Sequence, residues 1–190
     1  LPLPTLPMAD LSSHLSADAR AARRSLHPGS TPEASARAGI EVVWARTAED
    51  VLAAQRLRYE VFALELGARL SVPVGSPAGH DIDLFAPYCA HLLVRLDTGT
   101  GEPGPVIGTY RVLTPESAKR IGGLYSETEF DLTRLRPLRG KMVELGRSCV
   151  HPDHRNGGAI MALWGALAEF MVRNDLDTMI GCASISMRDG

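Results

Sequence analysis

One short stretch combines the residue types that hold a phosphate. The strand-like run from Met142 to Val150 stops at the turn His151-Pro152-Asp153-His154, and Asn156-Gly157-Gly158 then open an apolar-striped stretch. In that stretch Ile160, Leu163, Trp164, Leu167, Phe170 and Met171 recur at helical spacing. A strand that passes through a glycine-rich turn into a helix leaves backbone N–H groups unpaired at the positive end of the helix dipole, where phosphate is the natural guest. Glu144 and Arg147 lie on the same strand. A carboxylate there suits general-base work. The competing reading is a strand glutamate paired with Arg147 or Arg111. Arg58 falls at helical spacing with Val51, Gln55, Phe62 and Leu66, on a side that is otherwise largely apolar. It is either a ligand contact or an arginine whose head reaches solvent over an apolar edge.

The elements that must position these residues follow from pattern and punctuation. Residues 40–44 read as a strand, and Thr47 caps a helix expected to run to about Leu66. The loop 71–79 carries two prolines and two glycines and leads through His80-Asp81-Ile82-Asp83 to a strand over Tyr88–Leu96. A turn-rich break from Asp97 to Pro105 joins it to Val106–Leu113, so the two are expected to pair as an antiparallel hairpin. Residues 117–130 are mixed in pattern. After the strand and helix described above, Thr178–Ser184 reads as a last strand. This order predicts an α/β fold with a mixed, mostly antiparallel sheet flanked by helices.

With 190 residues, 45% hydrophobic and 22% charged, the chain suits one globular domain, expected over residues 40–190. Residues 1–39, rich in Pro, Ser, Ala and Arg, read as a flexible leader; a short helix over Asp10–Ser25 would carry Arg20, Arg23 and Arg24 toward solvent or anionic lipid heads. A formal net charge of −2 gives no global field for nucleic acid. The first residues lack the basic flank and unbroken apolar core of a signal peptide, and no stretch approaches a membrane span, so a cytoplasmic protein is expected. Cys89, Cys149 and Cys182 have no metal-ligand spacing and read as small buried hydrophobes, and no metal is expected.

The run Val150 to Ile160 resembles the motif V-x-P-x-x-R-x-x-G-x-G/A of the GNAT acyltransferases, which cradles the pyrophosphate of acyl-CoA. Val150, Pro152, Arg155 and Gly158 fit it, and Ile160 takes the last small position. Five further blocks are similar to the ornithine N-acyltransferases of ornithine-lipid synthesis: Leu57–Phe62, Cys89–Val94, Gly108–Leu113, Tyr125–Asp131 and Glu144–Val150. They also resemble the acyl-homoserine-lactone synthases, whose shared residues map to Arg58, Phe62, Arg111, Glu144 and Arg147. The likeness covers roughly residues 40–187 and departs from the family at Asp83-Leu84-Phe85-Ala86, where a second acid is absent and Asp81 is the substitute at hand. Because GNAT domains continue past the last strand found here, a domain short of its C-terminal elements is expected.

The resemblance implies transfer of a fatty acyl group to the α-amine of ornithine, giving a lyso-ornithine lipid. A homoserine-lactone synthase, an N-acyltransferase for another amino acid, and a non-catalytic thioester-binding module are the alternatives. The donor is an acyl-phosphopantetheine thioester on acyl carrier protein or on CoA, with no permanently bound cofactor; a single phosphate without ADP suits the altered position at Ile160. Glu144 and Arg147 are the expected catalytic residues. Arg58 and Arg111 are expected to hold the acceptor carboxylate, beside Phe62, with Asp81 or Asp83 receiving a cationic side chain. Ser148, Cys149, Val150, Arg155, Asn156, Gly157 and Gly158 are expected to hold the donor, the amides around Ser148 and Cys149 polarising its carbonyl. Arg134, Arg136, Arg139 and Lys141 form a basic run that suits docking of acidic acyl carrier protein or plain solvation, and a lipid product implies work near the inner membrane face.

Overall fold

The computed structural model describes residues 39–183. The expected leader, Gly39 excepted, and the end of the last expected strand at Ser184 lie outside them.

Five strands form one sheet in chain order: β1 (Ile40–Trp44), β2 (Ala90–Leu96), β3 (Val106–Leu113), β4 (Met142–Val150) and β5 (Thr178–Ile180). The first four pair antiparallel and β4 pairs β5 in parallel, so the sheet is mixed and mostly antiparallel, as the element order predicts. Among the described residues three α-helices accompany the sheet: α1 (Ala48–Tyr59), α2 (Pro115–Ile121) and α3 (Gly158–Arg173).

Side chains on the strands alternate between two faces. One face carries Val42, Trp44, Leu92, Val94, Val112, Val143 and Leu145 and meets Ala159, Leu163, Leu167 and Met171 of α3 in the main core. Trp44 packs on Phe170 with ring centroids 4.9 Å apart, and Tyr110 meets the edge of Trp164 at 6.0 Å. The other face carries His91, Arg95, Thr109, Arg111 and Glu144, all buried, and lies beneath α1. Its apolar content is confined to small clusters, one of Leu57, Val61 and Cys149, another of Leu113, Leu124 and Met142.

Helix α1 starts where expected, at a capping box in which the Thr47 hydroxyl accepts from the Asp50 N–H (3.1 Å) and Asp50 accepts from the Thr47 N–H (3.0 Å). Its α-helical part ends at Tyr59 and a wider π turn, Glu60–Glu65, follows. The extra residue per turn rotates the chain, so Leu66, expected on the buried side, is exposed. The start of the second expected strand is likewise corrected: Ala86–Tyr88 is a 3₁₀ turn and β2 begins at Ala90. The segment 117–130, mixed in pattern, resolves into most of α2 and a 3₁₀ stretch over Tyr125–Thr128, and a second 3₁₀ stretch, Thr133–Lys141, leads into β4.

Leu163 has no exposed surface and sits at the centre of the α3 core. Leu163→Ala is expected to lower the unfolding free energy in urea by about 2–5 kcal/mol; a loss well under this range would mean that α3 is not seated on the sheet as described.

Candidate active site

The buried charges under α1 form one connected cluster. Arg58, wholly buried, donates from Nε to Asp81 Oδ2 (2.8 Å), from Nη2 to the Asp81 carbonyl (3.0 Å) and from Nη1 to His91 Nδ1 (3.2 Å). Asp81 also gives its N–H to the Gln55 carbonyl at 3.0 Å, so the loop after the π turn is stapled to α1 at this residue. Arg111 donates to Asp83 Oδ2 at 2.6 Å, while Asp83 Oδ1 caps the 3₁₀ turn by accepting from the Phe85 and Ala86 N–H groups. Arg147 approaches both acids, at 3.7 Å from Asp81 Oδ2 and 3.6 Å from Asp83 Oδ2. The guanidinium of Arg147 lies near two aromatic rings, 6.0 Å from the centroid of Phe62 and 5.9 Å from that of Tyr125.

Burial and charge set the protonation states. Burial pulls the Arg58 pKa down against the opposing pull of Asp81. For Asp83, burial is the largest influence and works upward, but the charge and hydrogen bond of Arg111, with the Arg147 charge and the Ala86 N–H, together hold the carboxyl below its ordinary value. Burial, and then the Arg58 cation, pull the His91 imidazole down to about 4. Arg58 only donates, so a neutral His91 accepts at Nδ1 and carries its proton on Nε2.

Glu144 pairs with neither Arg147 nor Arg111. Its Oε2 accepts from the Tyr125 N–H (2.6 Å), and its Oε1 accepts from the Ser126 N–H (2.6 Å) and the Ser126 hydroxyl. The carboxylate therefore holds the Tyr125–Thr128 turn against β4 and keeps the Tyr125 ring over Arg147. Cys182, just past β5, points its Sγ at the Ser126 hydroxyl from 3.3 Å. Sequence reasoning named none of His91, Tyr125, Ser126 or Cys182 as site residues.

The backbone of β4 is broken beside this cluster. Register passes from Thr109↔Cys149 to Arg111↔Gly146, so Tyr110 stands opposite two residues, Arg147 and Ser148. Arg147 takes a left-handed φ of 52° at this bulge. On the other edge, pairing with β5 ends at Glu144↔Ile180, and from Gly146 to Val150 that edge has no paired strand among the described residues. His151 donates to Ile107 across β3, and bonding alternates along an antiparallel ladder. The Cys149 amide thus faces β3, and Val150 faces the open edge. This corrects the expected donor pair: Cys149 has no amide to offer a thioester, whereas Val150 does. Burial pushes the Cys149 thiol up to about 12.

Arg155 departs from its expected role as well. It holds Glu65 with two 2.6 Å bonds and donates from Nε to the Val150 carbonyl at 3.0 Å, tying the π turn to the end of β4. With Arg155 engaged in this way, the groups at the turn with free donors are backbone amides. Gly157 turns at φ 92°, Asn156 Oδ1 accepts from the Gly158 N–H (3.3 Å), and α3 starts without a side-chain cap on its first turn. Of the basic run, Arg139 is bound to Glu127 and Lys141 to Asp175, and Arg134 and Arg136 are exposed.

A strand with a bulge and an open edge, followed by a turn and an uncapped helix start, is one half of the arrangement; the charged chamber beneath α1 is the other. The profile of the acetyltransferase (GNAT) domain matches residues 57–165, which include both. The chain belongs to the GNAT family. Over 161 residues this GNAT chain is 39% identical to the L-ornithine N(alpha)-acyltransferase of Rhodobacter capsulatus, a match covering 82% of the chain and 60% of that protein. Over 149 residues it is 38% identical to the protein of the same name from Brucella abortus, covering 76% and 52%. The chain thus spans roughly half the length of the curated relatives it matches. Among solved structures, the AHL synthase LasI superposes with a TM-score of 0.53 at 20% identity, over 76% of this chain and 72% of that one. FeeM, an N-acyl amino acid synthase from uncultured soil microbes, superposes with a TM-score of 0.55 at 12% identity, over 75% and 70%. Both show the same GNAT fold. No helix among the described residues is long and apolar enough to cross a membrane.

The buried neutral histidine makes the domain sensitive to acid. Between its unfolded value of 6.5 and its folded value of about 4, the unfolded chain binds the proton and the folded chain does not. Stability therefore falls as pH falls through this window, by up to about 3 kcal/mol from this group. His91→Gln keeps an acceptor for Arg58 and is expected to flatten the pH dependence of the unfolding free energy there by up to about one proton; an unchanged slope would show that His91 is already charged in the folded protein.

Proposed function

We propose that the protein is an N-acyltransferase that moves a fatty acyl group from a phosphopantetheine thioester to the α-amine of ornithine, giving a lyso-ornithine lipid. The observation that carries this reading is the meeting, at one bulged strand, of an open backbone edge and a cluster of buried charges of both signs, the groups that suit a thioester and an amino acid. The names of the four curated relatives support ornithine as the acceptor.

The chemistry needs little beyond placement. An α-amine has a pKa near about 8, so at neutral pH about a tenth of it is free to attack. The outward amide of Val150 then steadies the oxyanion that forms on the thioester carbonyl. The Ser126 hydroxyl, bonded to Glu144, offers a route for the amine proton, which makes Glu144 the acceptor at one remove. Transfer is direct, because a buried thiol with a pKa of about 12 is a poor nucleophile.

Acyl carrier protein is the proposed donor. Ile160 fills the place that a small residue takes in the pyrophosphate motif, and the exposed Arg134 and Arg136 offer an acidic carrier a landing point near β4. The lipid product places the work at the inner membrane face.

The test incubates the full chain with acyl carrier protein or CoA thioesters and a panel of acceptors, including ornithine and S-adenosylmethionine, with mass detection of products. The expected product is Nα-acylornithine, formed from the carrier thioester at a rate that falls with salt. Joint reversal of Arg134 and Arg136 to Glu should raise the carrier KM at low salt, and Cys149→Ala should keep its turnover. Absence of any N-acylornithine would overturn the proposal, and a different N-acyl product would reassign the acceptor.

A further inference from the structure

The three arginines of the buried cluster do not stand equally. Arg58 has no exposed surface, and each of its three donating nitrogens is already bonded. Arg111 is nearly as deeply buried and closes on Asp83 at 2.6 Å. Arg147 is 26% exposed and, among the described residues, makes no hydrogen bond; its nearest acid contacts, at 3.6 and 3.7 Å, are too long for one. Charge points the same way. Three guanidiniums, Arg58, Arg111 and Arg147, face two carboxylates, Asp81 and Asp83, while the third carboxylate, Glu144, bonds two N–H groups and a hydroxyl of the Tyr125–Thr128 turn and no arginine.

We propose that Arg147 is the specificity-determining residue that takes the acceptor's α-carboxylate, while Arg58 and Arg111 set the frame around it. The inference rests on the reading of the protein as an amino-acid N-acyltransferase. The rings of Phe62 and Tyr125 both lie within about 6 Å of the Arg147 guanidinium, and the side chain keeps 26% of its surface exposed as the way in. A planar fork open at the edge is the geometry that a carboxylate meets with two parallel hydrogen bonds. Aromatic walls also lower the local dielectric, so a cation that only shares its acids with two other arginines attracts a further anion more strongly than it would in open solvent.

Position completes the argument. Arg147 sits on the bulge, one residue before Ser148 and the open edge on which Val150 faces outward. A carboxylate gripped at Arg147 brings the amine on the neighbouring carbon toward that edge, where the thioester is proposed to lie. The left-handed backbone at Arg147 is the local cost of turning its side chain into the chamber. Glu144 is a positioning residue in this scheme, since it holds the turn that carries Tyr125.

The test compares ornithine with ornithine α-amide, which lacks the carboxylate charge, in the full chain. In the wild type, kcat/KM is expected to favour ornithine by about 10- to 100-fold, the size of a hydrogen bond to a charged group. In Arg147→Gln the ratio should collapse toward unity, and Arg147→Lys should recover part of it. A ratio taken on one preparation does not depend on the folded fraction, and where turnover in the Gln variant is too slow, the ratio of dissociation constants by calorimetry replaces it. A Gln variant that keeps the wild-type preference would overturn the role of Arg147, as would a wild type that acylates both acceptors equally. Failure of the wild type to acylate ornithine at all would instead count against the function itself, so the two failures are distinguishable.

Discussion

Two aspartates shared among three arginines, sealed between a helix and a sheet, are the constraint on which the rest of this domain depends. A guanidinium with no exposed surface is expensive to bury unless its donors are met, and Arg58 meets them by drawing Asp81 and His91 to it. Those bonds join α1 to the loop after it and to β2, and the bond from Arg111 to Asp83 joins the same loop to β3. Apolar contact holds the far end of this loop, where Phe85 and Tyr88 pack on the Leu113, Leu124 and Met142 cluster, but not its acids. Ion pairs hold those, and they hold them in one register. Replacing such a network with hydrocarbon often leaves stability unchanged or improves it, so its presence points to a geometry that needs fixed charges.

The two faces of the sheet divide the labour. The α3 face is almost wholly apolar and supplies the burial that keeps the domain folded. The α1 face gives up much of that burial to polar groups, which the α3 core can afford. β4 belongs to both faces, with Val143 and Leu145 in the core and Glu144 in the chamber, and its bulge is where the two functions meet. A regular strand would pair Tyr110 with one residue and close the edge geometry; the extra residue sets Arg147 among the acids and aromatic rings and leaves Val150 facing the open side.

Those features whose causes are local were legible in the amino-acid sequence. The apolar stripe of α3, the Thr47 cap, the β2–β3 hairpin and the Pro-Gly punctuation after β4 each act within a few residues, and each formed as read. Arg58, Asp81, Asp83, Arg111 and Arg147 were found, and they do converge, but their division of tasks was not readable. Which acid meets which arginine depends on loop placement, and Arg58 proved spent on Asp81 rather than free for a ligand. Arg155 was assigned to phosphate on motif alone, whereas its partner Glu65 lies far back on the π turn, where no local pattern links them. Tyr125 and Ser126 sit in a 3₁₀ turn without periodicity, and their significance comes from Glu144, well downstream. The direction of the Cys149 amide hangs on the bulge and the bond from His151 to Ile107, which alternation of residue types does not encode.

Because the chamber beneath α1 is claimed as the acceptor's seat, hydrogen exchange with and without ornithine addresses the claim most directly. The account predicts slower exchange over residues 81–88, over the turn at 125–128 and along β4 around Arg147, with α3 and β1 unchanged. Protection confined to other elements, or none at ornithine concentrations that support turnover, would contradict it.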